Sequence, residues 1–447
     1  MNIITRFAPS PTGPMHVGNA RCALLNFLYA KKHNGKFILR IDDTDEKRNI
    51  KEGIQIILDS LKWLKITPSE TFRQSQRKNI YNKFAQKLIK EQKVYPCYET
   101  QEELKKIKEE YIKNNKPFLY DRKSMFLSEK EIKNYNSIGR KPYYRFFLKN
   151  QKIVWQDGIK GKLSFETKNI SDPVVIKTDG SITYLLSSVI DDIEMNITDI
   201  IRGEDHTINT AIQILLLESL KHNSIRFSHL SLLKMHDKKI SKRQGNCSIE
   251  DIKKDKIHYM SLCSFLTTIG SKKNVQPYKN LTSLINDFSL LNYSKSTTQY
   301  DIYQLYKLNS KILKELDYSE IIAEIKKFYP NINFSEDFWN NIKVNITKIE
   351  DIKHWHEIIY DYTQRNKNQK YKNLIQIAIS CLPSEINKNT WLKWTNTISK
   401  QSGLEGKELY LPLRRIITES EKGPKMQDII PMLSRKEILK RLSNTIS

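Results

Sequence analysis

The chain reads as an α/β protein: a doubly wound parallel sheet carrying an inserted α+β domain, followed by an all-α C-terminal region. Three observations predict this. Strand-like and helix-like segments alternate from residue 2 to about residue 64. That alternation is interrupted by charged helices and β-prone runs, and it resumes near Asn196. From about Ser310 the apolar spacing is helical to the end of the chain.

The first element, Asn2-Ile-Ile-Thr-Arg-Phe-Ala8, is apolar and β-branched, as strands are. The cluster Pro9-Ser-Pro-Thr-Gly13-Pro14 continues neither a strand nor a helix. Val17, Ala20, Leu24, Phe27 and Leu28 then recur at helical spacing. His16 and Gly18 therefore fall at a helix start, where free backbone N–H groups and the helix dipole attract phosphate. Lys36–Ile41 is a second strand, and Ile54, Ile57, Leu58, Leu61 and Leu64 form the stripe of a second helix. No GxGxxG follows the first strand, which speaks against a dinucleotide site. Two β-prone runs, Val174–Thr178 and Ser181–Leu185, flank Asp179-Gly180 and predict a hairpin. The sheet resumes with Asn196–Ile201 and a helix over Asn209–Leu220. This places Arg202 just past the carboxyl end of a strand, where open α/β sheets bind ligands. Trp339, Trp355, Trp391 and Trp394 are assigned to the core of the helical region, because Trp is highly buried on average.

At 447 residues the chain is long enough for several domains, and its 39% hydrophobic content suffices for globular cores. The densest apolar run, Ile212–Leu217, is far too short to span a membrane, and the N-terminus lacks an apolar signal core. A cytoplasmic protein is expected. The five cysteines are scattered without a CxxC pair, which argues against a disulfide scaffold and for reduced thiols. The net charge is +25, with 51 basic against 32 acidic residues in the first 300. Such a field suits a polyanion but does not separate RNA from DNA, and many of the lysines are ordinary solvated surface.

Two segments carry a sharper signal. His16-Val17-Gly18-Asn19 and Lys239-Ile240-Ser241-Lys242-Arg243 are similar to the HIGH and KMSKS signatures of class I aminoacyl-tRNA synthetases. The flanks Arg6–Gly13, Arg40-Ile-Asp-Asp-Thr-Asp45, Asp191-Asp192 and Ile201–His206, with Gly403–Arg414 and Glu421–Pro424, narrow the match. Together they resemble a bacterial-type glutamyl-tRNA synthetase over nearly the whole chain. The resemblance implies a Rossmann-like catalytic domain (1–71 and 184–235) split by an acceptor-stem-binding insertion (72–183). A stem-contact region with the KMSKS-like loop (236–309) and a helical anticodon-binding region (310–447) would follow.

It also implies ATP-dependent activation of L-glutamate and transfer to tRNA(Glu), with Mg²⁺ accompanying ATP. By motif position the catalytic residues are His16, Lys239 and Lys242, and ATP falls to Thr12, His16, Gly18, Ser241 and Lys242. Arg6 and Arg202 match the positions that hold the glutamate side-chain carboxylate, which the planar guanidinium fork suits. Asp42 matches an acceptor for the ammonium group. It is one methylene shorter than the Glu expected there, so an indirect contact is expected. Ser10, Tyr184 and Ser188 complete that set, while Asp191 and Asp192, read as lying beside a β-turn, suit a substrate contact or a structural role. Only Cys97 stands where relatives place a zinc cluster, and Tyr120–Met125 offers no Cys or His, so no structural zinc is expected. Asn345 aligns near an anticodon-reading arginine; it is either a weaker discriminator that also admits tRNA(Gln), or ordinary surface. A monomer is expected. The alternatives are a non-catalytic tRNA-binding paralogue and a glutamate-activating tRNA-modifying enzyme. The helical region from Ser310 to Ser447 speaks against the latter, and the intact signatures speak against the former.

Overall fold

The computed structural model describes residues 2–115, 118–222, 225–235, 248–332, 334–361 and 371–446. They divide into two compact units, one of residues 1–250, 266–275 and 280–301, the other of 251–265, 276–279 and 302–447.

The first unit is built on a parallel sheet of five strands. Their spatial order is Arg226–Leu230, Asp199–Gly203, Ile4–Phe7, Lys36–Ile41, Glu70–Arg73. The chain winds outward from Ile4–Phe7 in one direction, then returns beside that strand and winds outward in the other. The sheet is therefore doubly wound, with its switch point between Ile4–Phe7 and Asp199–Gly203.

The helix Val17–Lys32 packs on one face, with Val17, Ala20, Ala23, Leu24, Phe27 and Leu28 buried. Burial of Leu24 or Leu28 contributes ~2 kcal/mol each. Polar groups stitch this helix to the sheet: Thr5 Oγ1 donates to the Asn26 carbonyl at 2.9 Å, and Asn26 Nδ2 donates to the Ile201 carbonyl at 2.8 Å. The helix Gly53–Trp63 buries Ile57 and Leu61, but Leu58 is exposed, so its apolar stripe is narrower than the sequence spacing suggests. On the opposite face Ile38, Ile200 and Phe227 pack with Leu186, Val189 and Ile190 of the helix Tyr184–Glu194 and with Leu216 of the helix Thr207–Ser219.

Between the third and fourth strands of the sheet in chain order lie two smaller antiparallel sheets. One joins Val94–Cys97, Tyr143–Phe146 and Val174–Ile176; the other is the hairpin Lys152–Asp157 with Gly161–Glu166. The helix Gln101–Lys113 fully buries no residue and is set by a capping box of Thr100 and Glu103. The expected Asp179-Gly180 turn forms, with Gly180 at φ +80° and the Lys177 N–H donating to Ser181 O at 2.8 Å. Its returning arm is a correction to the sequence reading: it ends at the single bridge Ile176–Ile182, and Tyr184 already opens a helix. The helical repeat of Leu186, Val189 and Ile190 outweighs the β-propensity of Ile182 and Thr183, because it buries a full stripe against the sheet.

The second unit is dominated by helices. Its tryptophans are core residues: Trp339 and Trp394 are fully buried, and each indole N–H finds a carbonyl at 2.9 Å, Leu316 and Ala378 respectively. Trp355 and Trp391 are also buried. Among the described residues no helix is long and apolar enough to cross a membrane.

Candidate functional site

A cavity of about 480 Å³ opens at the switch point, walled by the carboxyl ends of the two central strands and by the turn that follows the first. Arg6, Ser10, Thr12, His16, Gly18, Tyr184 and Arg202 all line it. The Pro-rich turn cannot pair with the sheet, so it leads the chain away and lets the next helix begin at the cavity edge. His16 caps that helix, its Nδ1 accepting the Gly18 N–H at 3.1 Å. Desolvation lowers the pKa of the ring, so it is neutral at pH 7 with its proton on Nε2. This corrects one expectation: the Gly18 N–H is committed to His16 rather than free for phosphate.

The floor of the cavity is charged. Arg6 lies within its strand and grips Asp192, with Nε at 3.2 Å from Oδ1 and Nη2 at 3.5 Å from Oδ2. Arg40, fully buried behind it, donates to Asp192 at 2.8 Å and to Asp42 at 2.7 and 3.2 Å. Burial alone would raise the Asp192 pKa, but Arg6 and Arg40 overcome it and hold the carboxyl below its ordinary range. Asp191 accepts from Gln74, Arg77 and Tyr81 at 2.7–2.8 Å. Both aspartates lie in the helix Tyr184–Glu194 rather than beside a β-turn, and their partners make them supports of the arginines. Asp42 and Ser188 do not line the cavity. Asp42 is spent on Arg40, and its N–H donates to Pro9 O at 3.0 Å; Ser188 Oγ accepts from Gln213 at 2.6 Å. Burial pushes the Asp42 carboxyl above its usual range in spite of Arg40.

Arg202 lies inside the strand Asp199–Gly203, not past its end, and is 6% exposed. Its Nη2 donates to Thr210 Oγ1 and Gln213 Oε1, each at 2.6 Å. Its Nε and Nη1 are buried without a hydrogen-bond partner of good geometry, although Tyr184 approaches the same guanidinium. Burial lowers its pKa to about 10, which leaves it charged at neutral pH. A buried cation with unsatisfied donors calls for an anion, and a carboxylate oxygen can accept from one of them. Thr210 and Gln213 were not singled out in the sequence. The signal was there: two polar residues three apart within the apolar helix Thr207–Ser219. Asp205, His206, Cys22 and Arg48 also line the cavity without having been anticipated. Lys239, Ser241 and Lys242 lie outside the described residues.

Among the described residues no group of three His, Cys, Asp or Glu side chains forms a metal cage. Cys97 sits 3.6 Å from the Tyr120 hydroxyl, which donates to Glu99 at 2.7 Å. In the helical unit a second cavity, of about 580 Å³, is lined by Trp391, Tyr410, Met426 and Arg414 among others. Arg414 Nη1 donates to Pro424 O at 2.8 Å, while Nε and Nη2 are buried without partners. Asn345 is exposed at the end of the short turn Lys343–Asn345 and does not line this cavity.

A doubly wound sheet with a His-capped helix at its switch point, joined to a helical unit with its own cavity, has a clear counterpart among known proteins. Residues 2–307 match the catalytic domain of the tRNA synthetases class I (E and Q), and residues 299–446 match an anticodon binding domain. The chain belongs to this class I synthetase family. Among its relatives, the glutamate–tRNA ligase 1 of Rickettsia prowazekii (strain Madrid E) is 45% identical over 98% of both chains. The corresponding ligase of Rickettsia akari (strain Hartford) is 44% identical over 99% of both. The crystal structure of a glutamate tRNA ligase from Elizabethkingia meningosepticum CCUG26117, in complex with its amino acid, superposes with a TM-score of 0.87. It is 25% identical, and the match covers 100% of this chain and 99% of that one.

Proposed function

We propose that this chain joins L-glutamate to tRNA in two steps driven by ATP. The observation that carries the glutamate reading is Arg202, a buried guanidinium whose Nε and Nη1 lack hydrogen-bond partners of good geometry, in the same cavity wall as Arg6. These two arginines take the side-chain carboxylate. Tyr184 and Ser10 border it, and Asp42 and Ser188 act from behind through Arg40 and Gln213. The α-carboxylate then attacks the α-phosphorus of ATP, forming glutamyl-adenylate and releasing pyrophosphate. A carboxylate is already a nucleophile, so this step needs positioning and positive charge rather than a base. His16 Nε2–H, Thr12 and Gly18 border the phosphates, and Lys239, Ser241 and Lys242 complete the set from the sequence signature. Mg²⁺ enters with the triphosphate and neutralises part of its charge. In the second step a 3′-terminal ribose hydroxyl of tRNA, the 2′ group in this class, attacks the acyl carbon and AMP leaves.

The second cavity suits an unpaired base: the exposed Tyr410 ring, backed by the buried Trp391, offers a stacking face and Arg414 offers donors. The five-part domain division given above belongs to this reading, as do a monomeric state and a cytoplasmic location. Asn345 has no fixed charge with which to reject a wrong base, and the reading includes tRNA(Gln) as a second acceptor.

Radiolabelled glutamate, ATP and purified tRNA(Glu) or tRNA(Gln) test it. Label should accumulate on both tRNAs and depend on ATP. No label on tRNA(Glu) would overturn the function; label on tRNA(Glu) alone would remove tRNA(Gln) and the role of Asn345.

A further inference from the structure

Arg202 does not stand alone behind the cavity. Its Nη2 donates to Thr210 Oγ1, which lies 2.8 Å from His229 Nε2. His229 Nδ1 lies 2.5 Å from Asp157 Oδ2. The four groups come from a strand, a helix, the neighbouring strand and the tip of the inserted hairpin Lys152–Asp157 with Gly161–Glu166. All four are buried: Thr210 and His229 have no exposed surface, and Asp157 has almost none.

The direction of each hydrogen bond follows from the chemistry at the two ends. Arg202 only donates, so the Thr210 oxygen must accept from it. Asp157 also accepts from the backbone N–H groups of Ile159, Lys160 and His229, at 2.9, 2.9 and 3.1 Å. Burial opposes its charge, but the His229 side chain and these backbone donors prevail and hold the carboxyl near 2. An ionised acceptor facing Nδ1 fixes the His229 proton on that nitrogen. Burial lowers the imidazole pKa against the pull of Asp157, with Arg202 adding to the lowering. The neutral ring therefore presents a bare Nε2 to the Thr210 hydroxyl at 2.8 Å, which donates to it in preference to the more distant His206 carbonyl at 3.1 Å. Thr210 is left with only lone pairs to offer Arg202.

We propose that Asp157, His229 and Thr210 form a positioning relay that fixes the Arg202 guanidinium with its Nη2 clamped and leaves its Nη1 to meet the substrate carboxylate. The inference rests on the glutamate-binding reading of Arg202. None of the three relay residues touches substrate; they act through Arg202. Gln213 shares the clamp on Nη2 but does not reach His229 or Asp157, so the relay adds an orientation that Gln213 alone does not supply. Because Thr210 and Gln213 take both Nη2 hydrogens, the free Nη1 meets a carboxylate oxygen through a single charge-assisted hydrogen bond, and a few tenths of an ångström or a modest rotation of the guanidinium weakens it.

The test uses the full chain with Thr210→Val, Thr210→Ser, Asp157→Asn and Arg202→Ala, and the double variant of Arg202→Ala with Thr210→Val. Glutamate binding is measured by calorimetry, and KM for glutamate and for ATP by tRNA(Glu) charging. Thr210→Val should weaken glutamate binding and raise its KM roughly tenfold to a hundredfold, as for a lost hydrogen bond to a charged group. KM for ATP should stay within about twofold. Thr210→Ser restores the hydroxyl and should recover most of the affinity. Asp157→Asn keeps the shape but favours the other imidazole tautomer, and should give a smaller loss of the same kind. In the Arg202→Ala background Thr210→Val should add almost nothing. Equal effects on glutamate and ATP, no rescue by serine, or additive losses in the double variant would each overturn the relay. Charging and binding decide separate questions. A wild-type chain that binds glutamate without charging tRNA refutes the function, while calorimetry on the variants still decides the relay.

Discussion

The two units each hold an arginine with unsatisfied nitrogens over a cavity, but they hold it differently. Arg202 sits in a central strand, 6% exposed, clamped on Nη2 by two side chains and backed by a chain of further polar groups. Arg414 sits on the helix Gly406–Thr418, only partly buried, and is anchored by one backbone carbonyl. Burial lowers the pKa of both. The contrast follows what each would bind. A small charged amino acid offers few atoms, so selectivity has to come from rigid, desolvated charge. A nucleobase offers a broad face, so aromatic walls carry the contact and the arginine needs only to reach an edge.

That contrast can be broken most directly at Arg202. Arg202→Ala should lower kcat/KM for glutamate by roughly 10²- to 10⁴-fold, the ~3–5 kcal/mol lost when one partner of a buried charge pair is removed. A change below tenfold would place the carboxylate elsewhere. Lys242→Ala should cost ~3 kcal/mol of transition-state stabilisation, about 150-fold in pyrophosphate exchange with saturating tRNA, while glutamate binding barely moves. Exchange at the wild-type rate would refute the role of that lysine.

Arg414→Ala sharpens the comparison from the other side. KM for tRNA should rise roughly tenfold, the low end of a charged hydrogen bond, with KM for glutamate unaltered. If both constants rose together, the second cavity would not be a separate tRNA site.

The smallest effect concerns acid. The folded-state pKa of His229 lies below its ordinary 6.5, so it contributes stability that is present above that pH and lost as pH falls below it. The Asp157 carboxyl, held near 2 against an ordinary 3.8, adds a second loss of the same sign between about pH 4 and 2. Scanning calorimetry from pH 7.5 to 5.5 should show the unfolding temperature falling by a few degrees. His229→Gln should reduce that slope, the remainder coming from His16 and His206, whose pKa values burial also lowers, and an unchanged slope would assign it to those groups.

Local signals made much of the fold legible. The strand and helix around Pro9–Pro14, the second strand Lys36–Ile41 and the buried tryptophans follow from periodicity, turn chemistry and hydrophobicity, which act over a few residues. The helix start at His16 was equally visible, because the Pro-rich turn marks it, whereas Arg6 and Arg202 lie inside strands and stood out through their match to the family motifs. The hairpin arm after Gly180 was misread because β-propensity is weak against a helical stripe that finds a sheet to bury into.

What only the tertiary structure decided is which polar groups meet. Asp42 faces Arg40, Asp191 faces Gln74 and Tyr81, and Asp157 faces His229 across 72 residues of chain. Each is a buried charge or donor that must find a partner once water is excluded. The identity of that partner depends on how strands and helices stack, and no spacing along the chain encodes it. The sequence by itself determined the Pro-rich turn, the helix start at His16 and the arginines Arg6 and Arg202, which on the proposed reading serve ATP and the glutamate carboxylate. The packing of the inserted hairpin and the helix Thr207–Ser219 against the sheet decided how Arg202 is held there, because only in the folded core do desolvated groups so distant in sequence come within hydrogen-bonding reach.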